Sequence, residues 1–206
     1  MATENNTDIF INLLKPEYGN ALKYCKALCS KRSTDDAEDV LQQSLLKAFE
    51  NFDSLSDQSK FRSWFFKIIT REFYNFVRKD FWKKFLPTDN MNSENPFPKV
   101  FTIQDEDGDG MILQKALGSI NSKERSSILL FEVAGFSIEE IMEIQNEKSI
   151  SSIKSRLSRA RKKLREFIEN EENNVTQNKN LTNHKSIYLG DINNETIKLI
   201  PGQERK

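Results

Sequence analysis

The residues with the most chemical reach in this sequence are two cysteines, one histidine and a run of carboxylates. Cys25 and Cys29 stand four apart, so a helix sets them on one face. A structural zinc ion takes four ligands. The only histidine, His184, lies far along the chain, and there is no second cysteine pair. The two cysteines therefore read as buried free thiols in a reducing compartment. The run Asp105-Glu106-Asp107-Gly108-Asp109-Gly110 begins like a calcium loop. Its twelfth position, where a bidentate Glu belongs, is Ala116, and an acidic linker accounts for the same letters. No glycine-rich phosphate loop, dinucleotide fingerprint or nucleophile elbow is present. Nothing assembles an acid, a base and a nucleophile. The sequence reads as a non-enzyme with no cofactor and no metal site.

Binding chemistry is better represented. The 206 residues carry 31 basic and 31 acidic side chains, a formal net charge of zero. That zero hides two basic blocks. Residues 60–85 hold 8 basic and 2 acidic side chains, and residues 148–165 hold 8 and none. Acidic stretches adjoin both. A basic block is the electrostatic footprint of phosphate binding, and two such blocks in separate segments point to a polyanion. Residues 60–85 also hold ten of the 21 aromatics. Bases stack on rings while Lys and Arg hold the backbone, so this mixture suits single-stranded nucleic acid.

The elements that must position these blocks are helices. In DDAEDVLQQSLLKAFENF, Ala37, Leu41, Leu45, Ala48, Phe49 and Phe52 recur at steps of three and four and predict one buried stripe. Ser33-Thr34-Asp35-Asp36 supplies the cap before it. Asp8 to Ser30 predicts one or two helices broken near Pro16. In residues 60–85, Phe61, Trp64, Phe65, Ile68, Ile69, Phe73 and Phe76 form the stripe, with Trp64 read as packing inward. Phe66, Tyr74, Phe81, Trp82 and Phe85 fall outside it or at its margin. Residues 86–110, rich in Pro, Asn and acid, read as a linker. Four helices are predicted after it, at about 111–119, 122–134, 137–146 and 149–170. Tyr188 to Ile200 allows a short strand or hairpin with Asn193-Asn194 at the turn. The fold class is thus all-α: two small helical domains, 1–86 and 111–170, a linker at 87–110 and an extension at 171–206. No stretch approaches the roughly 20 apolar residues that cross a bilayer, and MATENNTDIF is not a secretory signal.

The last predicted helix, SISSIKSRLSRARKKLREFI, buries Ile150, Ile153, Leu157, Ala160, Leu164, Phe167 and Ile168 along one stripe. Its other face mixes Ser with Lys and Arg. Small residues let a helix approach a major groove, where Arg reaches base edges and Lys reaches phosphates. GFSIEEIMEIQNEKS before it completes a helix-turn-helix pattern.

These motifs carry a resemblance. DAEDVLQQSLLKAFENFDSLSDQSKFRSWFFKII resembles region 2 of bacterial RNA polymerase sigma factors of the extracytoplasmic-function (ECF) subfamily. ALGSINSKERSSILLFEVAGFSIEEIMEIQNEKSISSIKSRLSRARKKLRE resembles their region 4. The resemblance implies a transcription initiation factor that binds core RNA polymerase through the β′ clamp helices and the β flap. Asp39, Gln42 and Gln43 match the clamp-facing surface. Phe61, Arg62, Ser63 and Lys67, with Arg71, Asn75, Arg78 and Lys79, match the segment that captures the single-stranded −10 element. The loop Ser54 to Ser59 matches the one that holds a flipped base. Ser151, Ser152, Lys154, Ser155, Arg156 and Arg159 match the reader of the duplex −35 element. Arg71 and Asn75 stand where the family often has Asn and Asp. The helix-turn-helix turn, Gln145 to Lys148, is one residue longer than usual and lacks the common Gly. An anti-sigma factor or accessory recruiter is an expected partner of the tail. The expected setting is cytoplasmic, nucleoid-associated when bound to polymerase, with no membrane partner. The alternative is a helix-turn-helix regulator acting without core polymerase.

Overall fold

The computed structural model describes residues 2–83 and 108–179, and all regular elements among them are helical. Helices α1 (Ala2–Leu14) and α2 (Tyr18–Leu28) part at Pro16, as its ring demands. Helix α3 (Thr34–Glu50) starts at a capping box: Asp36 N–H donates to Ser33 Oγ at 3.1 Å, and Ser33 N–H to the Asp36 carboxylate at 3.0 Å. Two short 3₁₀ turns, Phe52–Ser54 and Gln58–Lys60, lead into α4 (Phe61–Lys83). The second unit comprises α5 (Gly108–Ser119), α6 (Ser122–Glu132), α7 (Ile138–Ile144) and α8 (Ile150–Lys179). Asn121 with Glu124 and Ser137 with Glu140 repeat the capping box at α6 and α7.

The predicted helices fall where the apolar period placed them, with two extensions. Helix α8 runs on to Lys179, because residues 170–179 contain neither Pro nor Gly to stop it. Helix α5 takes in the last three residues of the predicted linker. The remaining linker residues up to 107 and the strand predicted at Tyr188–Ile200 lie outside the described residues.

The first unit packs Phe10, Tyr24, Leu28, Val40, Leu41, Phe61, Phe65, Ile69 and Phe73 between its four helices. Phe10 meets Phe49, Phe52 and Phe61 edge to face at centroid distances of 5.3–5.8 Å. Polar groups enter this core in pairs: Tyr24 and Thr70 share a buried hydrogen bond of 2.9 Å, and Ser44 Oγ donates to Val40 C=O at 2.6 Å. Each such ring or branched side chain contributes about 1.5–3 kcal/mol on burial. The second unit packs Ile120, Ile128, Leu130, Ile141, Ile144, Ile153 and Leu157.

These two cores are continuous. Phe66 of α4 is fully buried, and the residue that covers it is Phe136, from the turn before α7, at 5.1 Å between rings. That turn is set by Gly135 at φ +67°, which lets Phe136 N–H reach back to Leu130 C=O at 2.9 Å and close α6. On the other side, the Arg125 guanidinium of α6 donates to Leu28 C=O, the last residue of α2, at 2.6 Å. It also donates to Leu117 at 2.7 Å and Ile120 at 3.0 Å around the end of α5. One cation thus neutralises the negative ends of two helices. Burial lowers its pKa to about 10, so it stays charged at neutral pH.

Candidate nucleic-acid interface

Helix α8 carries the first candidate surface. Ser151, Lys154, Ser155 and Arg159 are exposed along it, and Ser152 is half-buried. Their presentation depends on the turn before them. Asn146 sits at φ +51°, in the left-handed region that Asn tolerates, and so does the work of a turn glycine. Arg159 also lies 3.5 Å from Glu124 while remaining 58% exposed.

Arg156 differs from its neighbours. It is only 8% exposed. One of its terminal nitrogens donates to Gln145 Oε1, the other to Glu147 at 2.6 Å. It therefore ties α8 to the turn rather than pointing outward, unlike the other residues matched to the −35 reader. That second bond, more than burial, which opposes it, holds the Glu147 carboxyl below the usual range; Lys123 adds to the effect.

Helix α4 carries the second surface. Lys67, Arg71, Arg78 and Lys79 are exposed; Arg62, Ser63 and Asn75 are half-buried. Arg78 donates to Asn75 Oδ1 at 3.1 Å, and Asn75 to Glu72 at 3.3 Å. Ser63 donates to Lys60 C=O at 3.1 Å. Phe61, expected among the strand-capturing residues, is 2% exposed and packs against Phe10, Trp64 and Phe65. It can support such a surface but does not present a face to it. In the preceding loop, Asp57 accepts from both the N–H and the hydroxyl of Ser59, at 3.0 and 2.6 Å, which fixes the chain just before α4. Those bonds hold the Asp57 carboxyl below its usual range.

A third surface lies on α3. Asp39, Gln42 and Gln43 are exposed together on one side. Leu46 and Phe49 continue that side, at 49% and 50% exposure. Phe49 belonged to the predicted buried stripe; only its edge contact with Phe10 is inside. Both residues were missed as candidates, although Leu46 follows Gln42 and Gln43 at helical spacing. Among the described residues no His, Cys, Asp and Glu cluster could hold a metal ion, and no helix is long and apolar enough to cross a membrane.

Residues 13–83 match the family described as Sigma-70 region 2, and residues 110–164 that described as Sigma-70, region 4. The RNA polymerase sigma factor SigV of Bacillus subtilis is 31% identical over 142 residues, covering 69% of this chain and 81% of that protein. The ECF sigma factor EcfG of Rhodopseudomonas palustris is 29% identical over 143 residues, covering 67% and 74%. The chain is an ECF sigma factor. Its structure is similar to the sigma factor RpoE of Bartonella quintana, solved in complex with the anti-sigma factor NepR. That likeness has a TM-score of 0.55 and 28% identity over 81% of this chain and 96% of the other. The region 2 match spans α2–α4 with the end of α1, and the region 4 match runs from α5 into the first half of α8, so the two units take those names. Family matches to both regions leave the core-independent regulator, which accounts for residues 111–170 alone, without support.

The sigma factor's two basic helices are not independent. Lys67, Thr70, Arg71, Tyr74 and Asn75 of α4 face Ile144, Gln145 and Asn146 of region 4 across a polar cleft of about 480 Å³. Arg62 lies 4.4 Å from the Phe136 ring centroid, donates to Ala134 C=O and pairs with Glu17 at 3.2 Å. Pattern reading along one helix carries no signal for these contacts.

Proposed function

We propose that this sigma factor docks on core polymerase through α3, reads a −35 duplex through α8 and holds an unwound −10 strand along α4. It performs no catalysis itself. The observation that carries the reading is the separation of surfaces: two basic helix faces in two family-matched regions, and a third, acidic and apolar face on α3. Lys154 and Arg159 would contact phosphates or base edges from the exposed side of α8, with Ser151 and Ser155 permitting close approach. Lys67, Arg71, Arg78 and Lys79 would follow the backbone of the melted strand, and the exposed Phe81 and Trp82 offer stacking rings at the far end of the same helix. Asp39, Gln42 and Gln43 would supply polar contacts to the clamp, with Leu46 and Phe49 as the apolar anchor that such interfaces centre on. The β flap would find the apolar groove between α5, α6 and α8, lined by Leu113, Leu117, Ile128, Leu129, Leu164 and Ile168. A cytoplasmic setting follows from this partner set.

In vitro transcription tests it. Purified core enzyme, this protein and a library of bacterial genomic fragments should yield promoter-dependent transcripts that core alone does not make. Absence of both transcript and core binding would sink the reading. Tight duplex binding by the protein without core would favour a plain DNA-binding regulator instead.

A further inference from the structure

The groove between α5, α6 and α8 is walled almost wholly by apolar atoms around a hollow of about 90 Å³. Leu113 of α5 and Val133 at the end of α6 are exposed where they border it. Region 2 supplies none of its walls, so the packing of the two units leaves it open. The α8 side is cationic, with Arg161 and Arg165 at the edge. Arg161 is already paired with Glu132 at 2.8 Å. Arg165 is exposed and makes no ion pair among the described residues. A segment that fits this groove carries a few apolar side chains and a carboxylate close to them.

The chain supplies such a segment close by. Helix α8 lines the groove as far as Ile168 and ends at Lys179. Residues 169–186 hold two apolar side chains, Val175 and Leu181, among Asn and Glu. Residues 187–200 hold seven, grouped around Leu189 and Leu199, with Asp191 and Glu195 between the groups. The distance back is short. From 168 to 179 the helix rises about 17 Å at 1.5 Å per residue. Residues 180–187 can reach about 26 Å at 3.3 Å per residue. Tyr188 can therefore return to Ile168 with about 9 Å left to cross the helix surface. A tether of this length sets a local concentration of order 1 mM, so a contact with a Kd of about 0.25 mM is about 80% occupied.

We infer that the segment Tyr188–Ile200 of this chain is the resident occupant of the groove between α5, α6 and α8. Its apolar side chains replace water on Leu113, Leu164 and Ile168, and its carboxylates face Arg165. The tail thereby competes with the β flap, and core polymerase engages this side of region 4 only by displacing it. The competition, though not the docking, rests on the reading of the groove as the seat of the flap.

Thiol protection tests it. The native Cys25 and Cys29 are fully buried with raised thiol pKa values, so they react slowly. Val133→Cys in the full chain places a reporter thiol at the groove. Its rate of reaction with N-ethylmaleimide is compared in three backgrounds: the native tail, the double variant Leu189→Asp with Leu199→Asp, and removal of residues 187–206. Circular dichroism checks that the helices are unchanged. The native tail should slow the reporter by about fivefold relative to both tail variants, the protection that about 80% occupancy gives. Equal rates in the three backgrounds overturn the inference. Protection that rises with protein concentration assigns the groove to the tail of a second copy and overturns the intramolecular docking. The same tail variants, with Val133 restored, should bind core polymerase about two- to fivefold more tightly than the wild type. Protection without any gain in core affinity overturns the competition. If no form binds core, the reading of the groove as the flap's seat fails and the competition with it, while the thiol rates still decide whether the tail is docked.

Discussion

Helices α4 and α8 are built from the same materials, basic residues repeated along an amphipathic helix, and the structure uses them differently. On α8 most cations point outward, while Arg156 is turned in to brace the turn and Arg161 pairs with Glu132 of α6 at 2.8 Å. On α4 one whole flank, from Arg62 through Phe66 to Tyr74, is occupied by another part of the same chain. The difference lies in what the neighbouring unit offers. Region 4 presents carbonyls, a ring and hydroxyls to α4, whereas the outward Arg159 and Lys163 of α8 meet the carboxylate of Glu124. Arginine does most of the inward work: Arg62, Arg125, Arg156 and Arg161 each bind carbonyls, carboxylates or rings. Its planar fork matches such acceptors better than a lysine ammonium does. A basic block thus mixes cations that hold the fold with cations left for a partner, and helical period alone does not separate them.

The comparison is broken most directly on α4. Phe66 and Phe81 both lie off the apolar stripe of this helix, yet one is fully buried and the other 55% exposed. Phe66→Ala should cost about 3–5 kcal/mol, through lost burial and the cavity left against Phe136 and Tyr24. Phe81→Ala should change stability by less than about 0.5 kcal/mol. Urea unfolding followed by circular dichroism measures both. Similar small losses for the two would mean that region 4 does not cover Phe66 in solution.

A smaller contrast separates two arginines of α8. Arg156→Ala leaves Gln145 Oε1 and the Glu147 carboxylate without their partner and should cost about 2 kcal/mol. Arg159→Ala, at an exposed position, should cost less than about 0.5 kcal/mol but weaken promoter binding by the polymerase complex. Equal stability of the two variants would return Arg156 to the DNA-reading set.

Acid should loosen region 4 by a lesser amount. Burial opposes ionisation of Glu124, but Lys163, the Asn121 N–H and Arg159 outweigh it and hold its carboxyl low. Glu147 is held low by Arg156 and Lys123. A carboxyl whose folded pKa is depressed stabilises the fold above its unfolded value, here 4.5, and that stabilisation is lost as pH falls through the depressed value. Thermal melting should therefore show a midpoint that drops below about pH 4.5 and drops less in Glu147→Gln. A midpoint flat down to about pH 3 would contradict the two pairs.

Much of this was legible in the sequence, for reasons that also mark the limit. Helix positions followed from the 3.6-residue period, and the start of α3 from Ser33 with Asp36. Exposure of Ser151, Ser155 and Arg159 followed from the stripe opposite them. The burial of Phe61 also followed from its place on the apolar stripe, whereas that of Arg156 did not, because burial at a helix margin depends on what packs there. The covering residues Ala134, Phe136 and Gln145 lie roughly 70 positions from α4, beyond the reach of any local period. Phe49 erred the other way, since a helix can carry apolar residues outward for a partner, as α3 also does with Leu46.

The smallest predicted effect tests the two helices as DNA surfaces directly. Lys154 is exposed on α8, whereas Lys67 faces the cleft toward Asn146. Each should release about one counterion on meeting a phosphate, so either substitution to Ala lowers the salt slope of promoter binding by about 1. The difference lies in when the effect appears. Lys154→Ala should weaken the low-salt duplex binding of the free protein and of its polymerase complex alike. Lys67→Ala should act only in the complex, where region 4 has left α4. Fluorescence anisotropy with a labelled promoter fragment, titrated in salt with and without core, separates these outcomes. An equal Lys67→Ala effect in both states would show that α4 is already open in the free protein.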